Sequence, residues 1–516
     1  MRNIIIALAM LGLAALACVR SQPEVIVITA TFLPEQGVPE GTPLPIIPPV
    51  QGGTLISPTA DPTRRGVDIP VAQEYTVQPG DTLSGIAAAN GVSVDTLMQM
   101  NHLPNPDQLE VGEVIHLPEP PSAEGTDFKI VPDSRMVRGP GSSNFNVRDF
   151  INRQPGFIRL ATDSVNEATF TAAQIVERVA LEYSIDPRLL LALLEFKSNW
   201  LSDPEPSEAA RVYSMGAQAS PLGFDRNGLY RQLTWAADQL NYGYYGWKNR
   251  GLDRVEFTDG ARIRFASNLN AGTIGLQYLL SQYTDYYTWG QQVSADGFYR
   301  TYVGYFGDPF AGAVDPVVPP NLEQPQLTFP FPQGETWLFT GGPHGGWGSG
   351  SAWAAIDFAP PDDLNLVTSA CYISQYFATA AAPGIIARTD EGTVILDLDG
   401  DGDESTGWTV LYLHIAAQDR IAPGTTVRIG DRIGRPSCEG GFSNGTHMHV
   451  ARRYNGEWIP ASCQACPPEQ ARPPLVMNGW TVFGLIGQEY QGYMVKGNDR
   501  RIAEQGRQIA ENQLSW

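Results

Sequence analysis

The spacing of hydrophobic residues changes period along the chain. From Thr171 to Tyr183 apolar positions recur at helical spacing, with Ile175, Val176 and Val179 on one face. Asp186-Pro187 then opens the run 188–200, apolar nearly all round, which predicts a buried helix; 268–280 predicts a third. From Gly334 the helical period gives way to short β-branched runs separated by Gly-rich turns. These predict strands at 337–340, 354–358, 384–388, 393–397, 408–414 and 426–429, and one from His447 to the Asn455-Gly456 hairpin turn. Residues 479–483 read as a further strand and the last residues as a polar helix.

Between Tyr75 and Pro118 a short strand, a Pro79-Gly80 turn, a helix capped by Asp81 or Thr82, a second helix over 94–101 and a closing strand are predicted. The opening run Tyr75 to Ile86 and the closing run Gly112 to Pro118 resemble a LysM domain across its whole length. That resemblance implies a small βααβ unit holding N-acetylglucosamine-containing glycan through Gly80, Asp81, Thr82 and Leu83 and the segment 101–105. His102 and His116 fall in this unit and read as surface or packing residues.

Segments 19–74, 119–144 and 316–333 are rich in Pro, Gly, Ser or Thr without a sustained period, and read as one tether and two linkers. A run at 25–28 has strand character but no neighbour to pair with. The linkers leave a helical domain at 145–315 and a β-rich domain at 334–516. Residues 185–200 resemble the catalytic helix of lysozyme-like lytic transglycosylases. In that family an acidic Glu directly precedes the Ser, whereas Lys197 stands there. A lysine cannot protonate a glycosidic oxygen as a carboxylic acid does. Glu195 lies about 200° round the helix from Lys197. The resemblance therefore implies a lysozyme-like domain with lost or altered cleavage chemistry that binds glycan; an unrelated helical spacer would show the same periodicity.

Charge removes some partners. The net charge of -21 over 516 residues argues against nucleic acid and anionic membrane surfaces, which require basic patches. At the N-terminus the apolar run Ile4 to Ala17 has signal-peptide length. Ala15-Leu16-Ala17-Cys18 resembles a bacterial lipoprotein cleavage box, with Ala15 where Leu is usual. Lipidation at Cys18 and a location in the cell envelope follow from it, with plain secretion as the alternative. Four of the five cysteines then remain for an oxidising compartment: Cys371, Cys438, Cys463 and Cys466. Three pairings are open; Cys371 with Cys438 would brace the Gly-rich loop before His447, and Cys463 and Cys466 form a solitary close pair.

Four of the six histidines lie in the β-rich region. His447 and His449 share one face of their strand, with Met448 on the other. On their own they read as two exposed histidines. His344 sits in a loop rich in Gly, Asp357 in an apolar strand where a carboxylate needs a partner or metal, and His414 ends a strand. The four motifs 341–344, 356–358, 411–414 and 437–449 resemble, in order, those of LytM/lysostaphin-type zinc peptidases, most closely the β-lytic branch. Most of that superfamily has a His four residues before the Asp; Trp353 is there, and His344 stands thirteen before Asp357, as the Gly-rich insertion of the β-lytic branch allows.

The resemblance implies Zn2+ held by His344, Asp357 and His449, with His447 and His414 as catalytic histidines that do not ligate. Three N/O ligands leave a fourth position open, as in catalytic zinc sites. Zinc lowers the pKa of water there from about 15.7 to about 7. Asp399, Asp401 and Asp403 alternate with Leu or Gly as at the start of a Ca2+ loop, but the late glutamate of such loops is missing, and a solvated acidic turn fits equally.

The fold class expected is therefore multidomain α and β: a βααβ LysM unit, a helical lysozyme-like domain and an all-β antiparallel zinc peptidase domain. The function expected is hydrolysis of peptidoglycan cross-links or bridges, with linkers giving the β domain reach. A non-catalytic wall-binding scaffold or amidase activator is the alternative, and the intact set His344, Asp357, His414, His447 and His449 weighs against it.

Overall fold

The computed structural model describes residues 71–516 apart from 91–93, 102, 104, 107–108, 119–122, 219–223, 363–368, 464–465, 467–471 and 506–508. The leader 1–18 with Cys18, the run 25–28, the tether up to residue 70 and His102 lie outside the described residues. Among the described residues no helix is long and apolar enough to cross a membrane.

In the N-terminal unit β1 (Val71–Thr76) pairs antiparallel with β2 (Val114–Pro118) beside α1 (Leu83–Ala89) and α2 (Val94–Asn101). The strand thus begins ahead of residue 75, inside the expected tether. Thr82, rather than Asp81, caps α1 by accepting from the Gly85 amide at 3.0 Å. Asp81 instead accepts from Tyr75 Oη and the Gln78 amide, 2.7 Å each, and closes the turn at Gly80, whose φ of +94° suits glycine.

The helical half contains β3 (Ala123–Glu124), α3 (Val147–Asn152), β4 (Thr162–Val165), β5 (Ala168–Thr171), α4 (Ala172–Tyr183), α5 (Pro187–Ser198), α6 (Glu208–Val212), α7 (Leu229–Asn249), β6 (Arg254–Glu256), β7 (Arg262–Arg264), α8 (Ala271–Ser281), α9 (Tyr286–Gln292) and α10 (Phe298–Phe306). Thr171 and Gln174 form a capping box on α4. Asp186 caps α5, with Pro187 in its first turn. The sequence pattern did not predict α7, the longest helix. Its interior Gly243 weakens helical propensity but is where α8 crosses: a Cβ there would lie 2.6 Å from the Tyr278 Cβ. Residues 123–144, expected to be linker, belong to this half. β3 pairs parallel with β7, and Ile130, Val131, Met136 and Val137 are buried in its core.

The β half contains β8 (Thr336–His344), β9 (Ala355–Ala359), β10 (Ala378–Thr379), β11 (Gly384–Asp390), β12 (Thr393–Asp397), β13 (Trp408–Leu413), β14 (Thr426–Val427), β15 (Arg432–Gly434), β16 (Met448–Tyr454), β17 (Glu457–Trp458), β18 (Val476–Met477), β19 (Trp480–Leu485), β20 (Gln488–Lys496), β21 (Asp499–Ile502) and β22 (Gln513–Ser515). The main sheet is antiparallel with order β14-β11-β12-β13-β16-β9-β8-β22, and β17 folds back on β16 through Asn455-Gly456. Among the described residues the expected polar helix at the end is replaced by a single 3-10 turn, Ala510–Asn512, followed by β22. β18 to β21 form a second antiparallel sheet, and β22 pairs with β8 so that Leu514 is buried. The turn at Gly497, φ +59°, returns the chain after β20 and lets this polar segment pair as strands.

Alternation decides what each face of the main sheet covers. Val394, Leu396, Val410, Tyr412, Met448, Val450, Ile356 and Phe358 point into a core shared with Phe329, Phe331 and Trp337. Residues 316–333 are therefore no free linker: Val317, Val318, Leu327, Phe329 and Phe331 are buried. On the opposite face Ile395, Leu411, Leu413 and Ala451 join the core of the helical half. The two halves are one packed body rather than domains on a leash.

Polar contacts seal that junction. Tyr244 Oη donates to Glu457 Oε2 at 2.8 Å, Lys248 Nζ donates to the same oxygen at 2.9 Å, and the Trp458 amide donates to Tyr245 Oη at 2.9 Å. Glu457 is 2% exposed, so its carboxylate depends on Lys248 for compensation, with Arg472 Nη2 next at 3.7 Å. Lys248→Met keeps the apolar stem and strands that carboxylate. We expect it to lower unfolding stability by about 3 kcal/mol, read as an earlier urea midpoint by tryptophan fluorescence. A midpoint matching wild type would contradict this account.

Candidate metal centre

The register of the main sheet brings the distant motifs together. His449 on β16 stands opposite Asp357 on β9 and Leu413 on β13, and Gly341 on β8 stands opposite Asp357. His344 at the end of β8, Asp357 and His449 are all buried, and their donor atoms lie within 4.8 Å of one another. His344 Nε2 is 2.9 Å from His449 Nδ1; Asp357 Oδ1 is 3.3 Å from the former and 3.5 Å from the latter.

Backbone carbonyls set the tautomers. His344 Nδ1 is 2.8 Å from the Gly342 carbonyl, and His449 Nε2 is 3.1 Å from the Gly346 carbonyl. A carbonyl only accepts, so each of those nitrogens carries its hydrogen. His344 Nε2 and His449 Nδ1 are then left as lone pairs facing each other, with Asp357 Oδ1, buried and without a hydrogen-bond partner, completing the triangle. Such a triangle is repulsive unless a cation sits over it. Tetrahedral zinc with bonds of about 2.0–2.2 Å spaces its ligands about 3.4 Å apart, so the residues present fit the metal. Burial alone would raise the Asp357 carboxyl; the lowering comes from positive charge at the site, supplied by His344 and His447 when they are protonated or, with the tautomers above, by a cation over the triangle.

His447 and His414 flank this triangle. His447 Nδ1 donates to the Gly445 carbonyl at 2.8 Å, so its Nε2 lone pair faces Asp357 Oδ1 at 3.6 Å. The His414 ring is 4.5 Å from that of His447, and its Nδ1 donates to the Glu439 carbonyl at 3.1 Å. His414 adopts φ +65°, an uncommon conformation for a side chain with a Cβ, and is held by Ser437, whose amide and hydroxyl both donate to its carbonyl. Cys371 and Cys438 form a disulfide, which ties down the residue next to Glu439; Cys463 pairs with Cys466.

A sixth residue was missed from sequence. The Tyr490 ring stacks on His344 with centroids 4.2 Å apart and is held at φ +66° in β20. The side chain is 46% exposed, yet desolvation of its phenol at the site, then the charges of Asp357 and Glu489, push its pKa up, so it keeps its proton at neutral pH. It lies between the strand read at 479–483 and the polar helix expected at the end of the chain, and no local motif marks it.

The other sequence candidates are placed differently. Asp397, Asp399 and Asp401 offer carboxylate oxygens within one cluster, but Asp397 accepts from the amides of Asp399, Gly400 and Gly402, and Asp403 from the amide and hydroxyl of Ser405. These contacts account for the turn without calcium. Leu83 is 1% exposed, so its side chain packs in the core of the N-terminal unit and cannot meet a glycan. Glu195 accepts from the amides of Leu201 and Ser202 and the Ser202 hydroxyl, closing the loop after α5. Trp353, where most zinc peptidases of this type have a ligand, instead accepts the Ala461 amide through its carbonyl.

Residues 129–320 match the family model for the LasA N-terminal domain, and residues 75–118 match the LysM domain. The expected lysozyme-like domain, 145–315, falls within the former match. Protease LasA of Pseudomonas aeruginosa is 26% identical over 306 residues, covering 54% of this chain and 65% of that protein; the chain thus spans just under two thirds of this relative's length. N-acetylmuramoyl-L-alanine amidase XlyB of Bacillus subtilis is 54% identical over 52 residues, 10% of this chain and 16% of that protein. Among solved structures, the deep-sea M23 metalloprotease pseudoalterin is 21% identical with a TM-score of 0.27, covering 36% of this chain and 99% of that one.

Burial first, then the nearby charges of His447 and His449, hold the His414 imidazolium well below the usual pKa of about 6.5. The unfolded chain therefore takes up this proton before the folded one. The stability contributed by neutral His414 is present above about pH 6.5 and lost as pH falls below it. In metal-free protein, the His414 ring resonance should remain that of the neutral form from pH 8 through 6.5; a titration midpoint at or above 6.5 would contradict the geometry.

Proposed function

We propose that this chain is a zinc-dependent peptidase that hydrolyses peptide bonds in peptidoglycan. The observation that carries the reading is the convergence of two carbonyl-oriented imidazole lone pairs and the Asp357 carboxylate, with two further histidines and a tyrosine around them. His344, Asp357 and His449 would hold the zinc, which supplies a Lewis acid and water acidified to near neutral pH.

The chain's own groups divide the remaining work. His447 presents an Nε2 lone pair toward the triangle and is placed to take a proton from attacking water. The proton that His447 takes up at Nε2 is the one the leaving amine needs, so His447 is placed to return it there, and His414, neutral with its ring 4.5 Å away, flanks that transfer. The Tyr490 hydroxyl, still protonated, is a donor for the oxyanion that develops on the scissile carbonyl.

The N-terminal unit supports the choice of substrate. Its LysM match points to glycan as the surface on which the enzyme dwells, raising the local concentration of wall peptides. Gly80, Asp81 and Thr82 remain the proposed contacts there, and lipidation at Cys18 the proposed anchor, placing the activity in the cell envelope. The amidase relative, similar over 52 residues, is named for action on an N-acetylmuramoyl-L-alanine linkage.

Metal analysis and digestion of peptidoglycan by the full chain test this directly. Wild type should carry one zinc and release new amino termini. Asp357→Asn should lose zinc, and His447→Ala should keep zinc yet lose about 100-fold or more in hydrolysis. A zinc-free wild type that releases no amino termini would overturn the proposal.

Removal of residues 75–118 should reduce co-sedimentation with insoluble peptidoglycan while leaving hydrolysis of a soluble peptide substrate unchanged. Equal losses in both assays would show that the unit does not act as a targeting module.

A further inference from the structure

The loop joining β8 to β9 does more than follow His344. Its Gly346 carbonyl receives the His449 Nε2 hydrogen and so aims the Nδ1 lone pair at the other ligands. Yet the loop is rich in glycine and makes no strand ladder of its own between residues 345 and 354. Something else must fix its path.

Helix α7, from the other half of the body, supplies that support. Asp238, 6% exposed, accepts from the Gly350 amide and the Ser349 hydroxyl at 2.7 Å each. At the C-cap of the helix, Arg250 donates to the carbonyls of Ser351 and Gly350 at 2.9 and 3.1 Å. The backbones meet closely: a Cβ on Gly350 would lie 1.9 Å from the Asp238 carbonyl oxygen, and one on Gly348 2.6 Å from Asp238 Oδ1. Inside the loop the Ser351 hydroxyl accepts from the Trp347 amide at 3.1 Å, and the Gly346 amide donates to the Ala352 carbonyl at 3.1 Å. The chain of contacts runs without a break from Asp238 through 349–352 to Gly346 and His449.

We propose that Asp238 is a positioning residue for the metal centre, acting through this loop to keep the Gly346 carbonyl on His449 Nε2. The inference rests on the zinc reading above. Loss of the carbonyl frees the imidazole to rotate or change tautomer, and the lone pair facing His344 is no longer guaranteed. Partners that orient metal ligands typically change metal affinity by about 10–100-fold; Asp238 acts one link further out, which places it at the low end.

Zinc dissociation constants of the full chain, measured by competition with a chromophoric chelator, read this without any activity assay. Asp238→Ala should weaken zinc about 10-fold and Ser349→Ala about 3-fold. Asp238→Asn, which can still accept from the Gly350 amide, should recover part of the loss. Asn166→Ala removes a contact of the same junction, the 2.7 Å bond to Glu391, without touching the loop, and should leave zinc within twofold of wild type. An unmoved constant in Asp238→Ala, or an equal loss in Asn166→Ala, overturns the inference. If Asp238→Ala does not fold, an unchanged Ser349→Ala constant does so. Wild type that binds no zinc would overturn the zinc reading and this inference together, whereas a zinc-binding wild type with an unmoved Asp238→Ala would overturn only the latter.

Discussion

Two imidazole lone pairs facing each other at 2.9 Å beside a buried carboxylate are the constraint on which the β half depends. No side-chain rearrangement relieves it while Gly342 and Gly346 each hold a ring hydrogen. The triangle exists because strand register sets His449 across from Asp357, and because β8 is irregular between Phe339 and His344, which turns His344 inward. A one-residue slip of β16 would send His449 to the opposite face with Met448 and bring Met448 to the ligands. The large apolar residues of the far face, Met448, Val450 and Tyr412 among them, make that slip costly. Metal geometry is thus enforced by a hydrophobic pattern that never touches the metal.

The near face explains why the helices cannot be separated from the sheet. Ile395, Leu411, Leu413 and Ala451 share a core with α4, α5, α7 and α8, and removing that layer would expose them together. Buried ion pairs lie across the same seam, with Arg178 on Glu391 and Lys248 on Glu457. Such pairs add little net stability but penalise misalignment, because a displaced partner leaves a charge in apolar surroundings. The reach expected of flexible linkers is therefore absent between the helical and β halves, where residues 316–333 are built into the two cores.

What the sequence made legible follows from how local each signal is. The helical period over 171–183, the Asp186-Pro187 start and the β-branched runs near 393–397 and 408–414 predict elements close to those found, since helix starts and alternation are short-range properties. The five metal-site residues stood out because histidines are scarce and sit in separate motifs. Tyr490 did not, being one of twenty tyrosines in a stretch with no motif. Helix α7 was hidden by Gly243, which lets α8 cross, and Gly246, which packs against Leu252, and the supposed linkers by prolines flanking buried Phe329 and Phe331. In both cases a residue that weakens local structure is retained for a tertiary contact that composition cannot reveal.

Helix α5 shows the same lesson in chemical form. Its resemblance to a glycan-cleaving helix invites a search for an acid, and the two polar residues in reach decline the part. Glu195 faces the loop after the helix and is occupied by the amides of Leu201 and Ser202 and the Ser202 hydroxyl. Lys197 places its ammonium 4.0 Å from the centre of the Tyr283 ring, and burial pulls its pKa down to about 8. Neither offers a free carboxylic acid for glycosidic protonation: one is a lysine, and the other is engaged by the loop after the helix. The stretch Leu189 to Leu194 of α5 is leucine and alanine committed to the core. The contribution of the helical half to catalysis is then to be sought in what it holds, and the part of the metal site it holds is the loop beneath Asp238 and Arg250.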